Sequence, residues 1–111
     1  MIETTIIEYL SKQINVKVVA ELPSDAPDRY VLIEKTGGSR ENFINKATIA
    51  IQSYAESMYE AASLNELVKC AMDNITILPD VSSAELNSDY NFTDTAKKKY
   101  RYQAVYDITY F

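Results

Sequence analysis

The sequence predicts an α+β fold: a largely antiparallel sheet with two helices packed on one face, in the order α-β-β-β-α-(β)-β, forming a single domain over residues 1–111. Three observations carry this expectation. Apolar residues repeat every three or four places at the start of the chain. A second such stripe follows a serine–glutamate cap near the middle. The closing stretch YRYQAVYDITYF alternates, with Tyr100, Tyr102, Ala104, Tyr106, Ile108 and Tyr110 on one side and Arg101, Gln103, Val105, Asp107 and Thr109 on the other.

The first helix is expected over residues 2–14, where Ile2, Ile6, Tyr9, Leu10 and Ile14 form one stripe. Glu3 near its start and Lys12 near its end suit the helix dipole. VKVVAEL, residues 16–22, alternates and reads as a strand broken by Pro23 and Pro27. RYVLIEKT is rich in β-formers and is expected to end at Gly37-Gly38, with GGSRENFIN as a loop. ATIAIQSYA then returns as a strand with Ala47, Ile49, Ile51, Ser53 and Ala55 on one face, completing a long hairpin. Ser57 and Glu60 have capping-box spacing, and the helix they open carries Ala61, Leu64, Leu67, Val68, Ala71, Met72 and Ile75 as its stripe. Residues 81–86 read as a short strand and the polar residues 87–99 as an exposed loop. A final strand tied into the sheet closes the order, since an unpaired terminus would fray.

Composition narrows the function. A net charge of −5 argues against a generic nucleic-acid surface. Histidine is absent and Cys70 is the lone cysteine, which removes the commonest acid–base group and the usual zinc ligand sets. No metal and no cofactor are expected. The lone cysteine and the acidic N-terminal stretch, unlike a secretory leader, point to a reduced, non-secreted setting, in which the sequons at Asn74 and Asn91 are chance matches. No run approaches the ~20 apolar residues of a membrane helix.

TGGSR, residues 36–40, lacks the Lys-Ser/Thr of a phosphate loop and leads to a strand. DYNFTD, residues 89–94, has Asp94 where a calcium loop needs glycine and Tyr100 where it needs glutamate. Cys70 reads as a small buried hydrophobe. Nine tyrosines without a tryptophan suit protein–protein surfaces, and with no catalytic kit they favour an interaction protein over an enzyme.

Three segments in order resemble the tail completion, or tail terminator, proteins of long-tailed phages and prophages. They are RYVLIEKTGG at 29–38, ATIAIQSYAESMYEAASLNELV at 47–68 and YRYQAVYDITYF at 100–111. Tyr54 stands where that pattern has tryptophan. The resemblance implies a minor tail protein that assembles with copies of itself into an oligomeric ring, typically hexameric, at the head-proximal end of the tail. The ring terminates growth of the tail tube and enables head–tail joining. Its partners would be the tail-tube protein and the head connector or neck protein. DNA would only pass through, and no membrane is involved. The chain would reside in the host cytoplasm during assembly and then in the virion. Arg40, Glu41, Asn42 and Phe43 in the hairpin loop are the expected contacts, with Phe43 as apolar anchor and Arg40 as ion-pair donor. Lys97, Lys98 and Lys99 are the further candidates, in a stretch, 87–99, expected to order only on docking. The alternatives are another neck component, such as a head-closure or connector protein, and a small non-catalytic binding module.

Overall fold

The computed structural model describes residues 1–22 and 24–111, so the expected break at Pro23 lies outside the described residues. Helix α1 spans Ile2–Gln13 and buries Ile2, Ile6, Tyr9 and Leu10. Ile14 leaves the helix in an extended conformation and is itself buried. Helix α2 spans Met58–Met72. Ser57 caps it by accepting the Glu60 backbone N–H at 3.2 Å. The reciprocal half of the capping box is not made, because the Glu60 carboxylate pairs with Arg29 instead.

Five strands form one sheet: β1 Lys17–Val19, β2 Tyr30–Glu41, β3 Ile44–Ala55, β4 Val81–Asn91 and β5 Tyr100–Tyr110, in the spatial order β1-β2-β3-β5-β4. Only β1 is parallel to its neighbour; the other pairings are antiparallel. The α+β architecture with both helices on one face is as the sequence predicts. Strands of this length extend about 35–40 Å at ~3.3 Å per residue, which accounts for a molecule 44 Å long and 25 Å across.

Alternation along β3 and β5 builds the core. Ala47, Ile49 and Ile51 of β3 and Ala104, Tyr106 and Ile108 of β5 are buried beneath the helices, with Val31 and Ile33 of β2 beside them. Leu64, Val68, Ala71 and Met72 of α2 and Ile6, Tyr9 and Leu10 of α1 close the layer. Fully burying such a side chain is worth about 1.5–3 kcal/mol. The Tyr9 hydroxyl donates to the Ala71 carbonyl at 2.7 Å and clamps the helices together. Beyond Met72 the chain makes a 3-10 turn, Ile75–Ile77, that drops Ile75 into the core.

Several expectations need correction. GGSRE is strand, not loop: β2 and β3 pair continuously from Tyr30↔Tyr54 to Glu41↔Ile44, with one bulge between Lys35 and Gly37. Main-chain pairing overrides the weak strand propensity of the glycines. β1 is three residues long, against seven expected. Residues 87–91 complete β4, and 92–99 form a closed turn rather than a disordered loop. β4 is held to α2 because Asp89 accepts from the Asn65 amide at 2.7 Å and from the Lys69 ammonium. The Asp89 carboxylate first, and Glu66 second, hold the Lys69 ammonium above its usual pKa. Finally, α2 is rotated relative to the expected stripe. Asn65 is buried, while Leu67 is 57% exposed and Cys70 faces solvent.

Burial pushes the Tyr106 phenol up to about 12 from 10.0, and its hydroxyl has no hydrogen-bond partner among the described residues. The unfolded chain ionises this group first, so stability it confers below pH ~10 is lost as pH rises towards ~12. Tyr106→Phe is expected to remove of order 2 kcal/mol of that alkaline loss, read from urea midpoints at pH 8 and pH 11.5; equal losses in both proteins would refute the assignment.

Candidate functional site

The helices cover one face of the sheet and leave the other bare. On the bare face, alternate residues of β2, β3, β5 and β4 meet in a polar row. The Arg101 guanidinium donates to the Tyr54 hydroxyl at 2.8 Å. Tyr54 donates to the Gln52 side-chain oxygen at 2.8 Å, and the Gln52 amide donates to Gln103 at 2.8 Å. The Gln103 amide donates to the Tyr90 hydroxyl. Gln52 and Gln103 are buried even though no helix lies above them. Aromatic rings shield the row: Tyr30 stacks on Tyr54 at 4.5 Å, and Arg101 lies 4.3 Å above the Phe92 ring. Burial raises the Tyr30 pKa, with the neighbouring Tyr54 adding to the shift. Alongside, Thr48 donates to Asp107 at 3.2 Å and Asn87 donates to the same carboxylate at 2.9 Å.

Four of the nine tyrosines (Tyr9, Tyr30, Tyr54 and Tyr106) are buried, and three more are half-buried. Tyrosine is therefore used mainly inside this protein. Tyr59 and Tyr90 are the two that are exposed.

The hairpin end of the sheet runs out beyond the helix layer. Asn42 and Phe43 are the two residues of its turn, with φ of 52° and 66°. Both positive values define a type I′ turn, in which asparagine is at home at the first position and glycine is preferred at the second. A phenylalanine held left-handed costs ~1–2 kcal/mol. Phe43 is nevertheless 81% exposed, with the Arg40 guanidinium 5.7 Å from its ring centroid. Glu41 pairs through its backbone with Ile44 at the base of the turn. Arg40, Glu41, Asn42 and Phe43 are thus brought together, at a tight turn and not on an open loop.

Lys97, Lys98 and Lys99 lie at the opposite end of the sheet, in the turn joining β4 to β5. Asp94 orders that turn: its carboxylate accepts the Ala96 and Lys97 backbone N–H groups at 3.1 and 3.2 Å, and its backbone pairs with Lys99. Near this end Arg29 binds Glu56 at 2.9 Å and Glu60 at 2.9 Å. The hydrogen bond raises the Arg29 pKa and lowers that of Glu56. Sequence reading missed this cluster, the polar row and the exposed Leu67. The cluster's only sequence signal was Glu56 and Glu60 sharing one end of a helix.

Among the described residues, no group of three or more His, Cys, Asp or Glu gathers as a metal site, and no helix is long and apolar enough to cross a membrane. Phe43→Gly relieves a left-handed strain of ~1–2 kcal/mol at an entropic cost of ~0.5–1 kcal/mol. It is expected to stabilise the isolated chain by about 0.5–1 kcal/mol in chemical denaturation; a destabilised variant would show that the ring packs within its own subunit. No protein-family model matches the sequence, and no curated protein matches it.

Proposed function

We propose that the chain is a non-catalytic structural protein of a phage or prophage virion. In this reading it forms a ring at the head-proximal end of the tail, ends growth of the tail tube and joins tail to head. The observation that carries the reading is the hairpin tip: a strained, exposed Phe43 beside Arg40, which the isolated fold does not use. Residues held in strained backbone conformations cluster at functional sites. A buried aromatic anchor with an arginine beside it is also the usual make-up of an interface hot spot.

Two further features support it. The two ends of the long molecule differ in make-up, one carrying Arg40, Glu41 and Phe43 at a tight turn and the other Lys97, Lys98 and Lys99 beside Phe92. A joint between a tube and a connector needs two unlike surfaces, and a cyclic assembly needs complementary patches on each subunit. The bare face presents Glu34, Glu85 and Asp107 as exposed carboxylates, against exposed Lys46 and half-buried Arg101. Turned to a ring's inner wall, such a face would repel passing DNA and keep it from adhering.

Electron microscopy of particles made without the chain tests the proposal. Overlong tubes, or tails detached from heads, are expected. Complementing with Phe43→Gly or Arg40→Ala should leave soluble, folded protein and yet reduce joined particles at least tenfold. Tails of normal length joined to heads in the deletion would overturn the reading.

A further inference from the structure

A groove on the helix side is suited to the hairpin tip. Its floor is Ile14, Val16, Leu64 and Leu67, and its lip is Arg29 and Glu60, enclosing about 330 Å³. A closed apolar cavity of ~150 Å³ already accommodates benzene, so a phenylalanine ring has room here. Leu67 is 57% exposed within it. Glu56, just outside the groove, shares the one Arg29 guanidinium with Glu60, so the three groups together carry one net negative charge beside the lip, which complements an arriving arginine.

The groove's lip adjoins the start of β2 and the hairpin tip lies at its far end, about 35 Å away at ~3.3 Å per residue. No subunit can therefore fill its own groove. We infer that Phe43 of one copy seats in the Ile14–Val16–Leu64–Leu67 groove of the next, with its Arg40 facing Glu60 of that neighbour. The contact uses different patches on the two subunits. Repeated head to tail, it closes a ring or extends a filament, according to the angle between neighbours. The inference deepens the ring reading above by naming the contact that would build it.

The test begins with Cys70→Ser, which removes the exposed thiol. One chain then carries Ile44→Cys, next to the anchor, and another Ser63→Cys, on the groove wall, so that Phe43 and Leu67 both stay in place. Mixed and mildly oxidised, they are expected to give the mixed disulfide at least tenfold over either homodimer. In parallel, sedimentation velocity up to about millimolar protein should show self-association weakened at least tenfold by Phe43→Ala and by Leu67→Asp. The double variant should be no weaker than the worse single, since both remove one contact. Overturning results are a mixed disulfide no more abundant than the homodimers, self-association indifferent to Leu67→Asp, or a chain that stays monomeric throughout. Any of these removes the seating and leaves the ring reading to the tail-length experiment, whereas normal tails in the deletion would remove the ring reading whatever the disulfides show.

Discussion

The register of β5 between β3 and β4 governs the rest of the molecule. Both neighbours pair with it along most of its length, from Tyr100↔Ala55 to Tyr110↔Asn45 on one side and Tyr102↔Asn91 to Tyr110↔Val81 on the other. That register sends Ala104, Tyr106 and Ile108 to the helices and Arg101, Gln103 and Asp107 to the bare face. A slip of one residue would exchange the two sets. It would bury Arg101 and Asp107 under α2 and strand the isoleucine in water, at a cost of several kcal/mol for each unpaired charge. Two bulges in β4, near Val81 and near Leu86, absorb the mismatch in strand geometry without disturbing β5.

The same alternation explains how a sheet covered on one side avoids an exposed apolar face. Where a second helix layer would sit, Arg101, Tyr54, Gln52, Gln103 and Tyr90 satisfy one another in sequence. Interlocked polar side chains of this kind cost little when complete and favour one pairing over its alternatives. The row stops short of the hairpin end. There Gly37, Gly38, Ser39, Arg40 and Phe43 are exposed.

What the sequence revealed follows from where faces are covered. Both helices, β3 and β5 were legible because one side of each meets a core, which imposes a period of 3.6 or of 2. The hairpin end has solvent on both sides, so residues 37–45 carry no alternation and read as a loop in sequence. Asn42, which tolerates the left-handed turn, was the one local signal. β4 looked like a loop beyond Leu86 because its partners are polar: Asp89 meets Asn65 and Lys69, and Asn87 meets Asp107. Asn65 also explains the misplaced stripe of α2. A buried amide reads as a surface residue in sequence, which turns the expected stripe towards Leu67 and Cys70. The short parallel β1 depends on tertiary pairing with residues 30–32, which no local pattern announces.

Hydrogen exchange on the free chain and on the proposed ring tests the central claim most directly. In the free chain, amides of residues 38–44 should exchange orders of magnitude faster than those of β5, which should open only with global unfolding. On assembly the slow set should hold its rates while residues 38–44 become protected. A hairpin end that exchanges as freely in the assembly as in the free chain, or a β5 that opens before β2, would contradict it.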